Sequence, residues 1–321
     1  MNFRLWSACA ALLFVAACAK DGIHKAAPVT PQQPDTVRVT PPIDNSDNGS
    51  SLSDNTHLLL GNPTDAQRNL VFIENYLMDQ KYFVESYSKN RGIPVWVGWH
   101  LQSEDVGSAG RSDNFRPDPS LPSGWYQVSD KSYNGAVTGF DRGHNCPSGD
   151  RTADATANNT TFLMTNMIPQ AATLNQGPWE GLEDYVRNTL VSTGNEAYII
   201  MGSYGRGGRG SGQTNFAEIL DNGNVTVPQQ VWKVVVILPK GNNDLSRVDA
   251  NTIVLAVNMP NDNSLYSLSG TGKTAWKNYL CTVNDLETKV NASIQAQGLK
   301  LDLFKNVPAT VRAQLKSKLF Q

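Results

Sequence analysis

The stretch Gly-Phe-Asp-Arg-Gly-His-Asn-Cys-Pro at residues 139–147 carries the strongest chemical signal in this sequence. It places His144 directly after an acid, an arginine and a glycine, in a chain with only 4 histidines. The order Asp-Arg-Gly-His arises by chance in a chain of this length about once per thousand sequences at average residue usage. A neutral imidazole is suited to taking a proton from water near neutral pH. The stretch therefore favours a hydrolytic site over a histidine that only stabilises a turn.

Two further regions of the sequence flank this stretch. Upstream lies Arg-Ser-Asp-Asn-Phe-Arg-Pro-Asp at residues 111–118. Downstream lie Thr-Phe-Leu-Met-Thr-Asn-Met-Ile-Pro-Gln at residues 161–170 and Leu-Asn-Gln-Gly-Pro-Trp-Glu-Gly-Leu-Glu at residues 174–183. In order and spacing, these segments resemble the DNA/RNA non-specific endonucleases, the ββα-metal nucleases that include endonuclease G. The resemblance runs from about residue 57 to the C-terminus and is greatest with the secreted bacterial members.

This resemblance implies a fold and a metal. The fold is α+β, a ββα-metal nuclease fold with a central antiparallel or mixed sheet flanked by helices. Asn175 is then the single direct protein ligand of a Mg²⁺ ion, for which Mn²⁺ can substitute, and Glu183 holds one of the waters of that ion. Because Mg²⁺ dehydrates reluctantly and keeps several waters, one neutral oxygen ligand plus the substrate phosphate makes a chemically reasonable site.

The resemblance also implies roles for seven further residues. His144 is the general base that activates water. Arg111 and Arg187 face the scissile phosphate, which suits guanidinium groups because their donors fork to two oxygens. Asp141 and Asn166 orient water, metal or the histidine. The remaining members of the same segments are Arg142 and Gln170.

Ordinary structural roles remain open for some of these residues. Glu183 and Arg187 are spaced i and i+4, so one face of a helix presents both, and such a pair is also a common surface ion pair. Asn175 precedes that helix and is equally suited to a turn or a cap. Only the joint pattern favours the catalytic interpretation.

Non-specific cleavage of DNA and RNA follows from the implied contacts. Each of them goes to phosphate, metal or water, and phosphate contacts carry no sequence information. No segment resembles a helix that reads the major groove, a zinc finger or an RNA-binding aromatic signature. Two alternatives stay open: a catalytically inactive, nucleic-acid-binding surface lipoprotein of the same fold, and a hydrolase of another phosphodiester.

The overall charge argues against a broadly basic binding surface. The chain has 321 residues, a net charge of −2 and a pI near 6.1. Proteins that hold nucleic acid through its phosphates usually show a basic footprint. We therefore expect binding to depend on a local cluster of arginines at the site.

The N-terminus predicts export. Arg4 precedes an apolar run at residues 5–17, which is too short to span a bilayer and is typical of a signal peptide. The run ends in Val-Ala-Ala-Cys at residues 15–18, which resembles a bacterial lipobox. Residues 1–18 are thus predicted to be a lipoprotein signal with a lipid on Cys18, which would attach the protein to a membrane at the cell surface or in the periplasm. A secretory signal cleaved after Ala17 is the alternative.

The rest of the chain divides into a linker and a body. Residues 19–55 are rich in Pro, Thr, Ser, Asn and Asp without apolar periodicity, which predicts a disordered linker. The folded body is predicted at residues 56–321. Within it, Cys146 and Cys281 are compatible with either a disulfide or two separate thiols.

Patterning in the body predicts mixed strands and helices. Residues 83–87 and 94–101 read as a hairpin in which Val95, Val97, Trp99 and Leu101 share one face. Apolar runs at residues 197–201, 231–238 and 252–257 predict strands buried on both faces. Pro178 suits the first turn of a helix whose apolar stripe is Leu182, Tyr185, Val186 and Leu190. Further helices are predicted near residues 283–297 and 308–319, and the glycine-rich residues 202–212 predict a loop after a strand.

Overall fold

The computed structural model describes residues 54–212 and 216–321. The predicted signal at residues 1–18, the predicted lipid site Cys18 and almost all of the predicted linker lie outside the described residues. Within the described ranges, no helix is both long enough and apolar enough to cross a membrane.

The strands of the described residues form one large sheet and two small ones. They are β1 (Tyr76–Asp79), β2 (Val84–Ser88), β3 (Ile93–Leu101), β4 (Phe140–His144), β5 (Met167–Ala171), β6 (Asn195–Tyr204), β7 (Ile219–Leu220), β8 (Val225–Thr226), β9 (Gln230–Pro239) and β10 (Ile253–Pro260). The large sheet has the order β1-β2-β3-β6-β9-β10, while β4 pairs with β5 and β7 with β8. Every neighbouring pair of the large sheet is antiparallel, as the α+β prediction expects.

Helices cover both faces of the large sheet, and several are short. They are α1 (Gly135–Thr138), α2 (Ala155–Thr160), α3 (Ala172–Leu174), α4 (Glu180–Asp184), α5 (Asp244–Arg247), α6 (Val283–Ile294) and α7 (Ala309–Ser317). Short 3₁₀ segments occur at Ser103–Asp105, Ser148–Arg151, Met164–Asn166, Val191–Thr193, Asp221–Gly223, Gly270–Tyr279 and Gln295–Gln297. The two predicted C-terminal helices are confirmed as α6 and α7.

The three predicted buried strands are confirmed in β6, β9 and β10. Their side chains alternate between two hydrophobic clusters, one on each face of the sheet. Ile199 and Val235 belong to the cluster on the face we call the near face, and Ile200 and Val234 belong to that on the far face. Because both faces are covered, a continuous apolar run is stable in these strands.

The β2–β3 hairpin forms where it is predicted, with one correction. The prediction that the alternate residues from Val95 to Leu101 share one face is wrong for Val95. The pairing register shifts between Ser86 and Tyr87, so Val95 has no partner on β2. This bulge turns Val95 to the far face, while Val97 packs on the near face.

The helix predicted around Pro178 forms, but it is not a regular α-helix. From α3 it continues as a π-helical segment (Asn175–Trp179), then α4, then a second π-helical segment (Tyr185–Leu190). Gly177 has φ −105° and ψ −112°, outside the helical region, and Pro178 follows it. The predicted apolar stripe packs on the near face throughout. We call residues 172–190 the cleft helix.

The far face is covered by more regular elements. Val283, Leu286, Val290 and Ile294 of α6 are all buried in the far-face cluster. The buried Leu315 of α7 joins the same cluster.

The two cysteines of the body lie on opposite faces of the sheet. Cys281 packs against the far-face cluster, whereas Cys146 lies in the near-face cluster, and both are free thiols. The sheet therefore separates the two cysteines, and the disulfide that the sequence left open does not form.

Candidate active site

The β4–β5 hairpin presents the Asp-Arg-Gly-His stretch at the near face. In its antiparallel register Asp141 lies opposite Gln170 and His144 opposite Met167. A Cβ atom on Gly143 would stand 2.1 Å from the Oε1 atom of Gln170. The glycine of the stretch is therefore required for close packing between the two strands.

Asn261 attaches this hairpin to the rest of the fold. Its Oδ1 atom accepts a hydrogen bond from the backbone N–H of Ala171 at 2.7 Å. Its Nδ2 atom donates to the carbonyls of Pro169 at 3.0 Å and Pro228 at 2.9 Å. Since Asn261 is only 1% exposed, these bonds fix the hairpin against the loop before β9.

His144 lies at the end of β4 in an aromatic setting. Phe115 and Phe162 approach its ring edge to face, at centroid distances of 5.7 and 4.8 Å. Burial, together with the positive charges of Arg111 and Arg142, lowers the pKa of His144 to about 3. Its Nε2 atom is buried and has no hydrogen-bond partner among the described residues. The ring is therefore neutral at neutral pH, as a general base must be.

The same two phenylalanines support arginines. The guanidinium of Arg142 lies 3.9 Å from the Phe115 ring centroid, and that of Arg111 lies 4.9 Å from the Phe162 centroid. Arg111 also donates to Ser148 Oγ at 2.9 Å. Stacking on an aromatic face leaves the edge of a guanidinium free for other acceptors. Both cations are thus held beside His144.

A third arginine reaches the site from the cleft helix. Arg187 donates through Nε to Asp150 Oδ1 at 2.8 Å and through Nη1 to Asp184 Oδ1 at 2.9 Å. Asp150 is 2% exposed, and its Oδ2 atom accepts from Trp99 Nε1 at 2.9 Å. The near-face core therefore fixes the position of Arg187.

Asp141 organises the start of the cleft helix. Its Oδ2 atom accepts hydrogen bonds from Asn175 Nδ2 at 2.9 Å and from Gln176 Nε2 at 2.8 Å. This orients the Asn175 amide and leaves its Oδ1 atom without a hydrogen bond from any described residue. An oriented amide oxygen of this kind is a suitable ligand for a hard divalent cation.

Glu183 and Arg187 do not form the surface ion pair that their spacing also allows. Glu183 Oε1 instead accepts from Lys233 Nζ at 3.0 Å, and Arg187 binds Asp150. Burial raises the pKa of Glu183, while the positive charges of Lys233 and Arg187 oppose that rise. The two helix residues are therefore anchored by the core behind them.

These side chains converge on one open cleft. Six of the nine predicted site residues line the cleft. Asp141 does not line it, but it accepts a hydrogen bond from Asn175, which does. The lining residues are Arg111, Arg142, His144, Pro147, Ser148, Gly149, Asn175, Gln176, Glu180, Glu183, Asp184 and Arg187. Three arginines therefore meet in a protein whose net charge is −2, as the expected local cluster requires.

Asn166 and Gln170 lie behind the cleft and do not line it. Asn166 bonds both backbone groups of Cys146, with Oδ1 accepting from its N–H and Nδ2 donating to its C=O at 2.9 Å each. It thereby fixes the chain just after His144. Gln170 is buried beneath Gly143, and neither its Oε1 nor its Nε2 atom has a partner among the described residues.

A second set of possible metal ligands lies away from the cleft. His100, Glu196 and Asp244 bring ligand atoms within 4.8 Å of one another, and we call them the far-face set. Arg247 Nη2 donates to Glu196 Oε1 at 2.7 Å and to Asp244 Oδ1 at 2.6 Å. The other carboxylate oxygens are engaged by His100 and Tyr198. With a cation already supplied by Arg247, this set forms a closed ion-pair network.

The sequence interpretation missed several residues that shape the cleft. Lys233 is the one charge in the apolar run at residues 231–238, and that exception was the available signal. Asp150 lies just after the Asp-Arg-Gly-His stretch but has no pattern of its own. Phe115 and Phe162 stand in the quoted segments, where nothing in their spacing reveals that they support arginines.

Comparison with known proteins agrees with this geometry. A family model described as DNA/RNA non-specific endonuclease matches residues 60–309. A protein named Nuclease from Nostoc sp. is 38% identical over 292 residues, covering 91% of this chain and 92% of that protein. Nuclease EXOG, mitochondrial, from Homo sapiens is 30% identical over 155 residues, 47% of this chain and 41% of that protein.

A solved structure shares the fold. A chain in the crystal structure of the EndoG/EndoGI complex superposes with a TM-score of 0.58 at 21% sequence identity. The match covers 79% of this chain and 92% of that chain. This likeness confirms the ββα-metal nuclease fold.

Proposed function

The chain belongs to the DNA/RNA non-specific endonuclease family, and from this premise we propose that it cleaves DNA and RNA by divalent-metal-dependent hydrolysis at the cleft of His144. It is a nucleic-acid-hydrolysing endonuclease. The observation that carries the proposal is the pair of hydrogen bonds from Asn175 and Gln176 to Asp141 Oδ2. These bonds join the start of the cleft helix to the strand of His144.

His144 would act as the general base. Its neutral ring takes a proton from the attacking water, whose oxygen bonds to phosphorus while the bond from phosphorus to the leaving sugar oxygen breaks. The low pKa of the ring, about 3, keeps it unprotonated at neutral pH. A bound phosphate beside it offsets the charge of Arg111 and Arg142, which makes the imidazolium easier to form once substrate is present.

The three arginines would bind the phosphate. Arg142 and Arg111 are held on aromatic rings, and Arg187 is held by Asp150. Because these contacts are in place before substrate arrives, little ordering is required when negative charge develops on the phosphate oxygens.

The donor set fits Mg²⁺, with Mn²⁺ as a substitute. Asn175 Oδ1 would be the direct ligand, and Glu183 Oε2, which accepts no hydrogen bond from a described residue, would hold a metal-bound water. Such an ion supplies charge neutralisation at the phosphate and a source of protons for the leaving oxygen. Asp141 orients Asn175 toward it, and Lys233 anchors Glu183.

We propose that both DNA and RNA are substrates, bound without marked sequence preference. The cleft residues offer donors and charge suited to a phosphodiester backbone, and backbone contacts carry no base information. The reaction also needs no 2′-hydroxyl, because water is the nucleophile. Export, and a lipid on Cys18 that would tether the enzyme to a membrane, remain predictions from the N-terminal sequence.

Activity assays on purified protein test this function. The wild type should degrade plasmid DNA and total RNA with Mg²⁺ and should stop when excess EDTA is added. His144→Ala should lower the cleavage rate at least 1,000-fold, about the contribution expected of a general base. His57→Ala is the matched control, because that ring bonds Lys81 and His100 and does not line the cleft. Binding of DNA without cleavage in any divalent metal, or an unchanged rate in His144→Ala, contradicts the proposal.

A further inference from the structure

Lys233 is a buried cation whose place in the fold is unusual. It stands in the middle of β9, opposite Val257 on β10 and Met201 on β6. Its side chain is 2% exposed, and its strand neighbours on the near face are the buried Val231 and Val235. Burying an ammonium group is costly unless it is paired, and an apolar residue would pack in such a strand at less cost.

The ammonium group of Lys233 has one charged partner among the described residues, Glu183. The Nζ atom lies 3.0 Å from Glu183 Oε1. It also lies 4.4 Å from the ring centroid of Trp179 and 5.6 Å from that of Trp99. These two rings supply cation–π contacts and shield the ammonium from water. The lysine side chain thus extends from the sheet, between the two tryptophan rings, to Glu183, which lines the cleft.

We propose that Lys233 is a positioning residue that anchors one carboxylate oxygen of Glu183 and so turns the other toward the divalent cation of the cleft. This inference rests on the proposed function, in which Glu183 holds a metal-bound water. Oε1 is occupied by the ammonium, whereas Oε2 accepts no hydrogen bond from the described residues. The cleft helix has π-helical segments on either side of Glu183, so a contact from the rigid sheet fixes what the local backbone does not.

The test measures Mn²⁺ binding directly, apart from catalysis. Dissociation constants for Mn²⁺ are obtained by electron paramagnetic resonance on folded wild type, Lys233→Met and Lys233→Gln. We expect about tenfold weaker binding in Lys233→Met and an intermediate value in Lys233→Gln, which keeps a donor without the charge. Cleavage assays should show kcat falling with the KM for DNA nearly unchanged, because the phosphate-binding arginines are intact.

A matched control and a double variant separate positioning from stability. Lys316 on α7 is also buried and paired, with Glu287 and Asp302. Lys316→Met should therefore lower the Tm and leave Mn²⁺ affinity unchanged. On a Glu183→Gln background, Lys233→Met should weaken Mn²⁺ binding less than twofold further, because its effect passes through Glu183.

The outcomes distinguish this inference from the proposed function. Wild-type Mn²⁺ affinity in Lys233→Met or Lys233→Gln overturns the role of Lys233, as do fully additive effects in the double variant. If Lys233→Met does not fold, Lys233→Gln and its Glu183→Gln double variant give the same comparison. A wild type that neither binds Mn²⁺ nor cleaves nucleic acid overturns the proposed function itself.

Discussion

The cleft and the far-face set both gather ligand-type side chains, yet they differ in what those side chains already bind. In the far-face set all four carboxylate oxygens of Glu196 and Asp244 have protein partners, and Arg247 supplies the cation. In the cleft, Asn175 Oδ1 and Glu183 Oε2 accept no hydrogen bond from the described residues. The far-face set is a complete hydrogen-bond network, whereas the cleft has two oxygen atoms that can still accept a ligand.

This difference is why we propose the metal site in the cleft and not at the far-face set. His, Glu and Asp within 4.8 Å of one another suggest a metal by type, but a metal there would have to displace Arg247 and its bonds. The cleft has fewer classical ligands, but its amide and carboxylate are held from behind by Asp141 and Lys233. Support by neighbouring residues, with one oxygen free of protein hydrogen bonds, favours the cleft as the proposed site.

Removal of Arg247 should affect stability and not catalysis. Arg247→Met leaves the buried Glu196 and Asp244 uncompensated, so we expect the free energy of unfolding to fall by about 3 kcal/mol. Chemical denaturation measures the loss, and kcat/KM per folded molecule should stay within about twofold of wild type. Lys240→Met, which removes an exposed pair with Glu104, should cost less than about 1 kcal/mol. A large loss of activity in folded Arg247→Met would place the far-face set in the catalytic machinery.

Loss of the residue that holds Arg187 should, in contrast, lower the activity of the folded protein. Asp150→Asn removes the buried charge that holds the Arg187 guanidinium, so kcat/KM should fall about 30-fold, or about 2 kcal/mol in transition-state binding. Asp184→Asn is the control, because Asp184 binds the same arginine but its side chain is 50% exposed. Its effect should remain within about threefold. Equal losses in the two variants would mean that Asp150 does not position Arg187.

Glu85 on β2 differs from both groups, because one of its carboxylate oxygens has no hydrogen-bond partner among the described residues and yet the side chain lies outside the cleft. It is fully buried, and its Oε2 atom lacks a partner among the described residues. Burial, together with the negative charge of Asp118, raises its pKa to about 8. Because this pKa exceeds the ordinary value of 4.5, the folded protein keeps a proton that the unfolded chain releases. Stability attributable to this group is therefore lost as pH rises from about 4.5 to about 8.

Glu85→Gln, which has no proton to release, should remove that pH dependence. We expect the variant to gain about 1–2 kcal/mol over wild type in the free energy of unfolding at pH 8, with little difference at pH 5. Denaturant titrations at the two pH values measure the gain. Glu218→Gln, at an exposed position paired with Arg206, is the control and should show no such trend. An advantage that does not grow between pH 5 and pH 8 would show that the pKa of Glu85 is not raised in the folded protein.

Much of the fold could be predicted because its strands carry strong local patterns. The β-branched runs of β6, β9 and β10 allow few alternatives, and α6 has a clear apolar stripe. The bulge at Val95 and the π-helical turns around Gly177 could not be predicted. Both arise where packing between distant segments overrides a local repeat.

The sequence predicts the residues that line the cleft, but it does not predict the residues that hold them in place. Residues such as His144 and Asn175 stand in motifs that a sequence displays directly. Lys233 lies 50 positions from Glu183, and Asp150 lies 37 from Arg187, so each pair forms only once the chain has folded. Asn166 and Gln170, predicted with the same motifs, lie behind the cleft and await mutational tests of their roles.

A crystal structure of the wild-type protein soaked with Mn²⁺ tests directly whether the cleft of His144 holds the metal ion. Anomalous scattering locates the ion independently of any assumption about its ligands. We expect one strong peak in the cleft, within coordination distance of Asn175 Oδ1, with Glu183 reaching it through water. A peak at His100, Glu196 and Asp244, with none beside Asn175, would contradict it.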